Sequence, residues 1–231
     1  KETLTASLRQ PLIPGEIASI NARVQIVPSG PDMRDDTWYS AVLSACFTAQ
    51  RRLWLVTPYF VPDEALQNAL ALAARRGVEV FLVVPKRSDN QIIDWVRMNY
   101  LRELSHCGAH VYFYKPRMLH AKLLLLDDTA AAAGTANLDA RSLFLNYELV
   151  VAFFEPADVH RFAQWIDRQR AAASPYRAHA PSAMREFSEG LSFKLSKYAR
   201  HKKISIPIRR YFFDRIIKSH RHVKTVIRLQ A

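Results

Sequence analysis

His120, Lys122, Thr135, Asn137 and Glu148 are the residues of this chain whose types and spacing could do chemistry. They occur as His120-Ala121-Lys122 ahead of the apolar run Leu123 to Leu126, then Asp127, then Gly134-Thr135-Ala136-Asn137, then Asn146-Tyr147-Glu148. The first apolar run ends at Asp127 and Asp128, and a second, Ala130 to Ala133, stops at Gly134, a pattern that predicts a buried hairpin. Residues two apart on a strand share a face, so His120 and Lys122 point together while Ala121 and Leu123 point the other way. Asn137 follows the neighbouring strand and can reach the same patch. The patch then holds an imidazole as nucleophile or proton carrier, an ammonium as a point charge for phosphate oxygens, and a carboxamide as neutral donor. Neither a carboxylate cage nor a Cys/His cluster at metal spacing sits beside them. Phosphoryl chemistry at this patch would run without a metal or other cofactor.

These elements have the spacing His-x-Lys, four residues, Asp, six residues, Gly-Ser/Thr-x-Asn, and so the chain resembles the phospholipase D superfamily. The resemblance implies that His120 is the nucleophile forming a phosphohistidine, or its partner acid. It implies that Lys122, Thr135 and Asn137 hold the non-bridging phosphate oxygens. Glu148, eleven residues after Asn137, matches the glutamate that bonds the far nitrogen of the histidine and fixes its tautomer. Asp127 completes the motif and is carried with the catalytic set, although in the family it is usually structural. Val56-Thr57-Pro58-Tyr59-Phe60-Val61-Pro62-Asp63, Lys86-Arg87-Ser88-Asp89-Asn90, Met118 to Lys122 and Ser142 to Glu148 look like the second catalytic half of bacterial cardiolipin synthases, over roughly residues 21 to 172. What this implies is transfer of a phosphatidyl group from one phospholipid to the hydroxyl of another, with phosphatidylglycerol as the anionic substrate and cardiolipin as product.

The remaining candidates have two readings each. Tyr59 and Phe60 either line a lipid or headgroup entrance or end a core strand. Ser88, Asp89 and Asn90 either bind a polar headgroup or cap the next helix. Asp139 reads first as a helix cap, and Arg141 as a salt-bridge partner or a phosphate contact. His106, His110, His160 and His179 have no partner at catalytic spacing.

Positioning these residues calls for an α/β lobe. The pattern predicts strands over 24–27, 53–56, 79–84, 110–114 and 147–154 besides the hairpin, and helices over 37–50, 63–76, 89–105 and 158–172. Asp63 is the expected N-cap and Gly77 the expected stop of the second helix. The alternation predicts a phospholipase D-like lobe, a mixed and mainly parallel sheet with helices on both faces. The expected organisation is a linker or remnant at 1–22, the catalytic lobe at 23–173, and a basic, amphipathic or partly disordered tail at 174–231.

Charge divides the chain near Gly190. Twelve of the 33 Lys and Arg but one of the 21 acids lie beyond it, so the tail carries +11 and the first 190 residues +1. Aromatic and aliphatic residues among those bases suit an anionic membrane surface reached through residues 191–228; a solvated tail or one touching nucleic acid are the other readings. Cys46 and Cys107 read as reduced thiols. No apolar stretch approaches the ~20 residues needed to cross a bilayer. The segment reads as peripheral to a bacterial inner membrane, or anchored there by a region outside it, and otherwise as cytoplasmic.

One motif leaves the reaction short of a histidine, because a phosphohistidine route needs one to attack and another to protonate the leaving oxygen. No second copy occurs, and Lys1 rather than Met opens the chain. The expectation is therefore a piece of a two-lobed synthase, ahead of a homodimer that builds one site from two chains. The alternatives are a homodimeric nuclease of the same superfamily acting on nucleic acid, and a catalytically incomplete fragment that binds a membrane or nucleic acid.

Overall fold

The computed structural model describes residues 23–32 and 36–177. Strand β1 (Val24–Ser29) is followed by helix α1 (Thr37–Thr48), then β2 (Arg52–Val56), β3 (Phe60–Val61), α2 (Glu64–Arg75), β4 (Glu79–Pro85), α3 (Gln91–His106) and β5 (His110–Tyr114). The hairpin β6 (Leu123–Leu126) and β7 (Ala130–Gly134) comes next, then β8 (Leu138–Asp139), α4 (Ala140–Phe144), β9 (Glu148–Phe153), α5 (Pro156–Ala171) and β10 (Ala173–Pro175). Eight strands form one sheet in the order β1-β9-β7-β6-β2-β4-β5-β10, and β3 pairs with β8 alone.

The mixed sheet covered by helices is the architecture the sequence predicts, but its expected parallel majority is corrected. Of the seven pairings in the large sheet, only β2 with β4 and β4 with β5 are parallel. Parallel neighbours need a crossover helix, and only α2 and α3 supply one between adjacent strands. The later strands join the sheet antiparallel, β6 and β7 through a tight hairpin. The sheet also takes in β10, which carries the fold two residues past the expected limit at 173. The linker at 1–22 and nearly all of the basic tail lie outside the described residues.

Alternation along the strands builds two cores. Leu53 and Leu55 of β2 face α1 to α4 and pack with Val42, Leu66, Leu70, Tyr100 and Leu143. Trp54 and Val56 face the other way, onto Val159, Ala163 and Ile166 of α5. Two local devices seen in the sequence hold: Asp63 caps α2 by accepting from the Leu66 amide at 3.1 Å, and Gly77 stops it at φ +87°.

The hairpin turn is held by Asp127, which adopts φ +48°, a conformation that Asp tolerates better than most residues. Its Oδ1 accepts from the amides of Arg51 and Arg52 at 2.8 and 2.9 Å, and its Oδ2 from Gln50 at 3.1 Å. Partial burial alone would raise its pKa, but the amides of Arg52, Arg51 and Gln50, with the Arg51 charge, outweigh that and lower it. Asp127→Ala leaves three donors without their acceptor and should cost about 1–3 kcal/mol in urea unfolding. A carboxylate with a depressed folded pKa stabilises fully above its unfolded pKa and ceases to as pH falls through the folded value. The gap between Asp127→Ala and wild type should therefore close on acidification below the ordinary carboxylate range; a gap independent of pH would contradict the assignment.

Candidate active site

The ladder between β6 and β7 runs one residue beyond the strand, because the Gly134 amide donates to the Lys122 carbonyl at 3.3 Å. This fixes Lys122 on the face of Leu124, the side of the larger core, and leaves His120 exposed at the mouth. The Lys122 ammonium lies 2.9 Å from His120 Nδ1 and 3.2 Å from Nε2, and it donates to the His120 carbonyl at 2.9 Å. The expected imidazole and ammonium are thus in direct contact.

Gly134 permits this approach of strands. A Cβ built there would stand 2.3 Å from the Leu149 carbonyl oxygen and 2.7 Å from Val150 Cα, so no larger residue fits without moving backbone. Next to it, the Thr135 amide donates to the Leu149 carbonyl at 3.0 Å, and Thr135 Oγ1 accepts from the Leu149 amide at 2.9 Å. The same hydroxyl donates to Glu148 Oε2 at 2.5 Å. Glu148 is 9% exposed, and its other oxygen accepts from Asn146 Nδ2 at 3.1 Å. Asn146 in turn accepts from Arg141 Nε at 3.2 Å. Among the described residues the carboxylate makes no bond to His120, so the direct tautomer-fixing contact implied by the family resemblance is not present.

Asn137 donates from Nδ2 to Ser142 Oγ at 3.2 Å, and its buried Oδ1 has no partner among the described residues. The other wall comes from the loop after β2. Thr57, 1% exposed, donates to the Tyr59 carbonyl at 2.9 Å and accepts from the Leu138 amide at 3.3 Å, while β3 pairs with β8 beside it. Tyr59 is thereby set edge-on to His120, ring centroids 6.4 Å apart, with its hydroxyl donating to Asp89. Burial, that bond and the fields of Asp89, Asp139 and Asp94 push the Tyr59 phenol up to about 12.

The structure therefore gathers His120, Lys122, Thr135 and Glu148 with Tyr59 and Asp89, and holds Asn137 through Ser142 and Arg141 through Asn146. It does not bring Asp127 to them; the hairpin turn lies roughly 16 Å along β6 from Lys122 at strand rise. Ser88 and Asn90, on either side of Asp89, are engaged locally. Asn90 caps α3, accepting from Ile92 and Ile93 at 3.1 and 3.2 Å, and Ser88 bonds the Asn90 backbone. Asp139 is the cap it was read to be, accepting from Arg141 and Ser142 at 2.9 Å each. Thr57, Ser142 and Asn146 were missed as supports of the site. Asn146 stood beside Glu148 in the sequence, but a helix-to-strand corner had to be known before its side chain could be aimed.

Partial burial lowers the pKa of the Lys122 ammonium, and the charges of Glu148 and Asp139 oppose the drop. For Asp139, burial and the Glu148 charge push upward against the two capping amides and Arg141. One cation is thus flanked by two carboxylates at an open mouth. Glu148→Gln removes one of them and should lower the Lys122 pKa further, read by NMR titration of its side-chain nitrogen; an unchanged value would show that the charge does not reach Lys122.

Comparisons with known proteins agree on the family. The profile described as "Cardiolipin synthase, PLD-like domain" matches residues 43–170, more than half of the chain. Cardiolipin synthase 1 of Bacillus cereus is 40% identical over 145 residues, 63% of this chain and 28% of the relative. Cardiolipin synthase A of Buchnera aphidicola is 41% identical over 128 residues, 55% of this chain and 26% of the relative. The chain spans little more than a quarter of the length of these relatives. Among solved structures, Nuc, a phospholipase D family member of Salmonella typhimurium, superposes with a TM-score of 0.59 at 19% identity, covering 68% of this chain and 99% of Nuc. The phosphatidylserine synthase of Haemophilus influenzae gives 0.58 at 16% identity, covering 77% of this chain and 46% of that one. At those identities the likeness is one of fold, and with the family profile it leads to one conclusion: the chain belongs to the phospholipase D-like domain family of the cardiolipin synthases.

Proposed function

We propose that residues 23–175 form one catalytic lobe of a phosphatidyl-transferring enzyme that makes cardiolipin from phosphatidylglycerol through a phosphohistidine. The observation that carries this reading is the contact of His120 with Lys122 at an open mouth, in a segment about 40% identical to proteins named cardiolipin synthase.

In the proposed reaction a His120 ring nitrogen attacks phosphorus, forming an N–P bond as the bond to the glycerol headgroup oxygen breaks. The departing oxygen takes a proton from the histidine of a second lobe, in the same protein or in another copy of the chain. The hydroxyl of a second phosphatidylglycerol then attacks phosphorus, returns its proton to that histidine, and displaces His120. Lys122 supplies charge to the non-bridging oxygens as they gain negative character. A half-turn of the Asn137 carboxamide lets Ser142 donate to Oδ1 and frees the amino group for the same oxygens. Glu148, held by Thr135 and Asn146, offers its charge to the imidazolium. Asp127 serves the hairpin turn in this scheme, and the tail would add attraction to an anionic membrane. Among the described residues no helix is long and apolar enough to cross a membrane.

The test is thin-layer analysis of radiolabelled phosphatidylglycerol vesicles incubated with the purified chain, alone and with a separately expressed first-motif lobe. Cardiolipin is expected with the added lobe; cardiolipin from the chain alone would mean that two copies build the site. His120→Ala should lower the rate by about 10³-fold or more, and Lys122→Ala by about 10²-fold or more. Glu148→Gln should cost about tenfold or more through loss of the negative charge offered to the imidazolium. Full activity of folded His120→Ala would overturn the reading, and cleavage of a nucleic acid phosphodiester without any cardiolipin would replace it with the nuclease.

A further inference from the structure

Helix α3 leaves two large apolar side chains in solvent near its start: Ile92 is 53% exposed and Trp95 61%. Three residues apart, they share a face, turned away from the buried Arg97, Tyr100, Leu101 and Leu104. The other tryptophans are placed differently. Trp38 and Trp54 are buried, and Trp165 packs against the α5 core. Among the described residues Trp95 packs into neither core.

Beside this pair stand four exposed bases. Lys86 and Arg87 leave the end of β4, and Lys115 and Arg117 leave the end of the neighbouring β5. The Lys86 amide donates to the Tyr114 carbonyl at 2.7 Å, so the two pairs lie side by side. None of the four forms an ion pair among the described residues. The acids near them are occupied: Asp89 by the Tyr59 hydroxyl, Asp94 by Arg97 at 2.8 Å and the Ser88 amide at 2.9 Å. Buried Arg97 also donates to the carbonyls of Pro85 and Lys86 at 2.8 and 3.2 Å, which fixes the loop that presents the first pair. The candidate site opens on this same edge, since Tyr59 joins Asp89 to His120 and Arg117 stands three residues before His120.

We propose that Ile92, Trp95, Lys86, Arg87, Lys115 and Arg117 form a docking face for an anionic phospholipid membrane, seating the lobe with His120 at the headgroup layer. Tryptophan settles at the level of lipid headgroups, and unpaired bases around it are drawn to lipid phosphates. A nucleic acid would satisfy the bases and offer rings to stack on Trp95, but it would leave the exposed aliphatic Ile92 unexplained. The choice of lipid rests on the phosphatidyl-transfer reading, and the face uses no residue of the basic segment at 191–228.

The test uses the full chain with vesicles of phosphatidylglycerol and phosphatidylcholine whose acyl chains carry bromine, a contact quencher of tryptophan. Wild-type fluorescence should be quenched on the phosphatidylglycerol-containing vesicles. Trp95→Phe, which keeps the other three tryptophans, should lose most of that quenching. Lys115→Glu with Arg117→Glu should weaken vesicle binding about tenfold or more at low salt. Quenching that survives Trp95→Phe, unaltered affinity in the double variant, or binding to nucleic acid with no lipid quenching would each overturn the proposal. None of these readouts needs turnover. Docking with no phosphatidyl transfer even when the first-motif lobe is added would remove the proposed activity and leave the face standing, whereas transfer without Trp95-dependent quenching would do the reverse.

Discussion

Asp127 holds the register on which the opposite end of the hairpin depends. Three backbone amides converge on one carboxylate, while the Arg52 side chain donates back to the Asp127 carbonyl at 2.9 Å. That turn pins β6 against β2, with Leu123 opposite Val56 and Leu126 opposite Leu53. A slip of one residue would exchange the faces of Lys122 and Ala121, turning the ammonium into the apolar groove of about 550 Å³ lined by Leu123, Phe153, Phe162 and Trp165. An acid with no contact to the candidate site thus belongs to the same short motif as His120 and Lys122, which form it. Asp127 acts by fixing which side of the sheet His120 and Lys122 occupy.

The site itself is an electrostatic compromise. Lys122 sits half-buried among the imidazole, Glu148 and Asp139, so its positive charge is partly balanced before any substrate arrives. An unbalanced cation would attract a phosphate anion in its ground state as well as in the transition state, and the attraction common to both adds nothing to a chemical step. Acids behind the cation temper ground-state attraction. Their placement also explains why Thr135 and Asn146 matter: each fixes one oxygen of Glu148, and so sets the direction of the field that the imidazole and ammonium feel.

The sequence showed the longer strands, the four longer helices and the gathered residues His120, Lys122, Thr135 and Glu148 because their signals are local: apolar runs, period, caps and fixed spacing. Asp63 and Gly77 could be placed at the ends of α2 for that reason. The sheet's pairing sense was not local. Whether β6 joins β2 parallel or antiparallel depends on whether the loop after β5 crosses back over the sheet or enters β6 from the same end, which no window of residues records. Short elements were lost too, since β3, β8 and β10 hold two or three residues each, too few for a period. Ser88 and Asn90 illustrate a different limit, because capping and headgroup binding call for the same side chains and only the fold shows which N–H groups lie in front of them. Buried Arg97 gave no sign in sequence, as one of two arginines on an amphipathic helix.

Thr57 has a consequence for how the mouth can deform. Its hydroxyl is bonded to both the Tyr59 carbonyl and the Leu138 amide, and the β3–β8 pairing runs alongside. The loop that carries the aromatic wall and the loop that carries Asn137 are therefore stitched into one piece across 81 residues of chain. The aromatic wall cannot swing aside on its own to admit a larger ligand. Any further widening has to carry the carboxamide with it, so the two walls move as a unit.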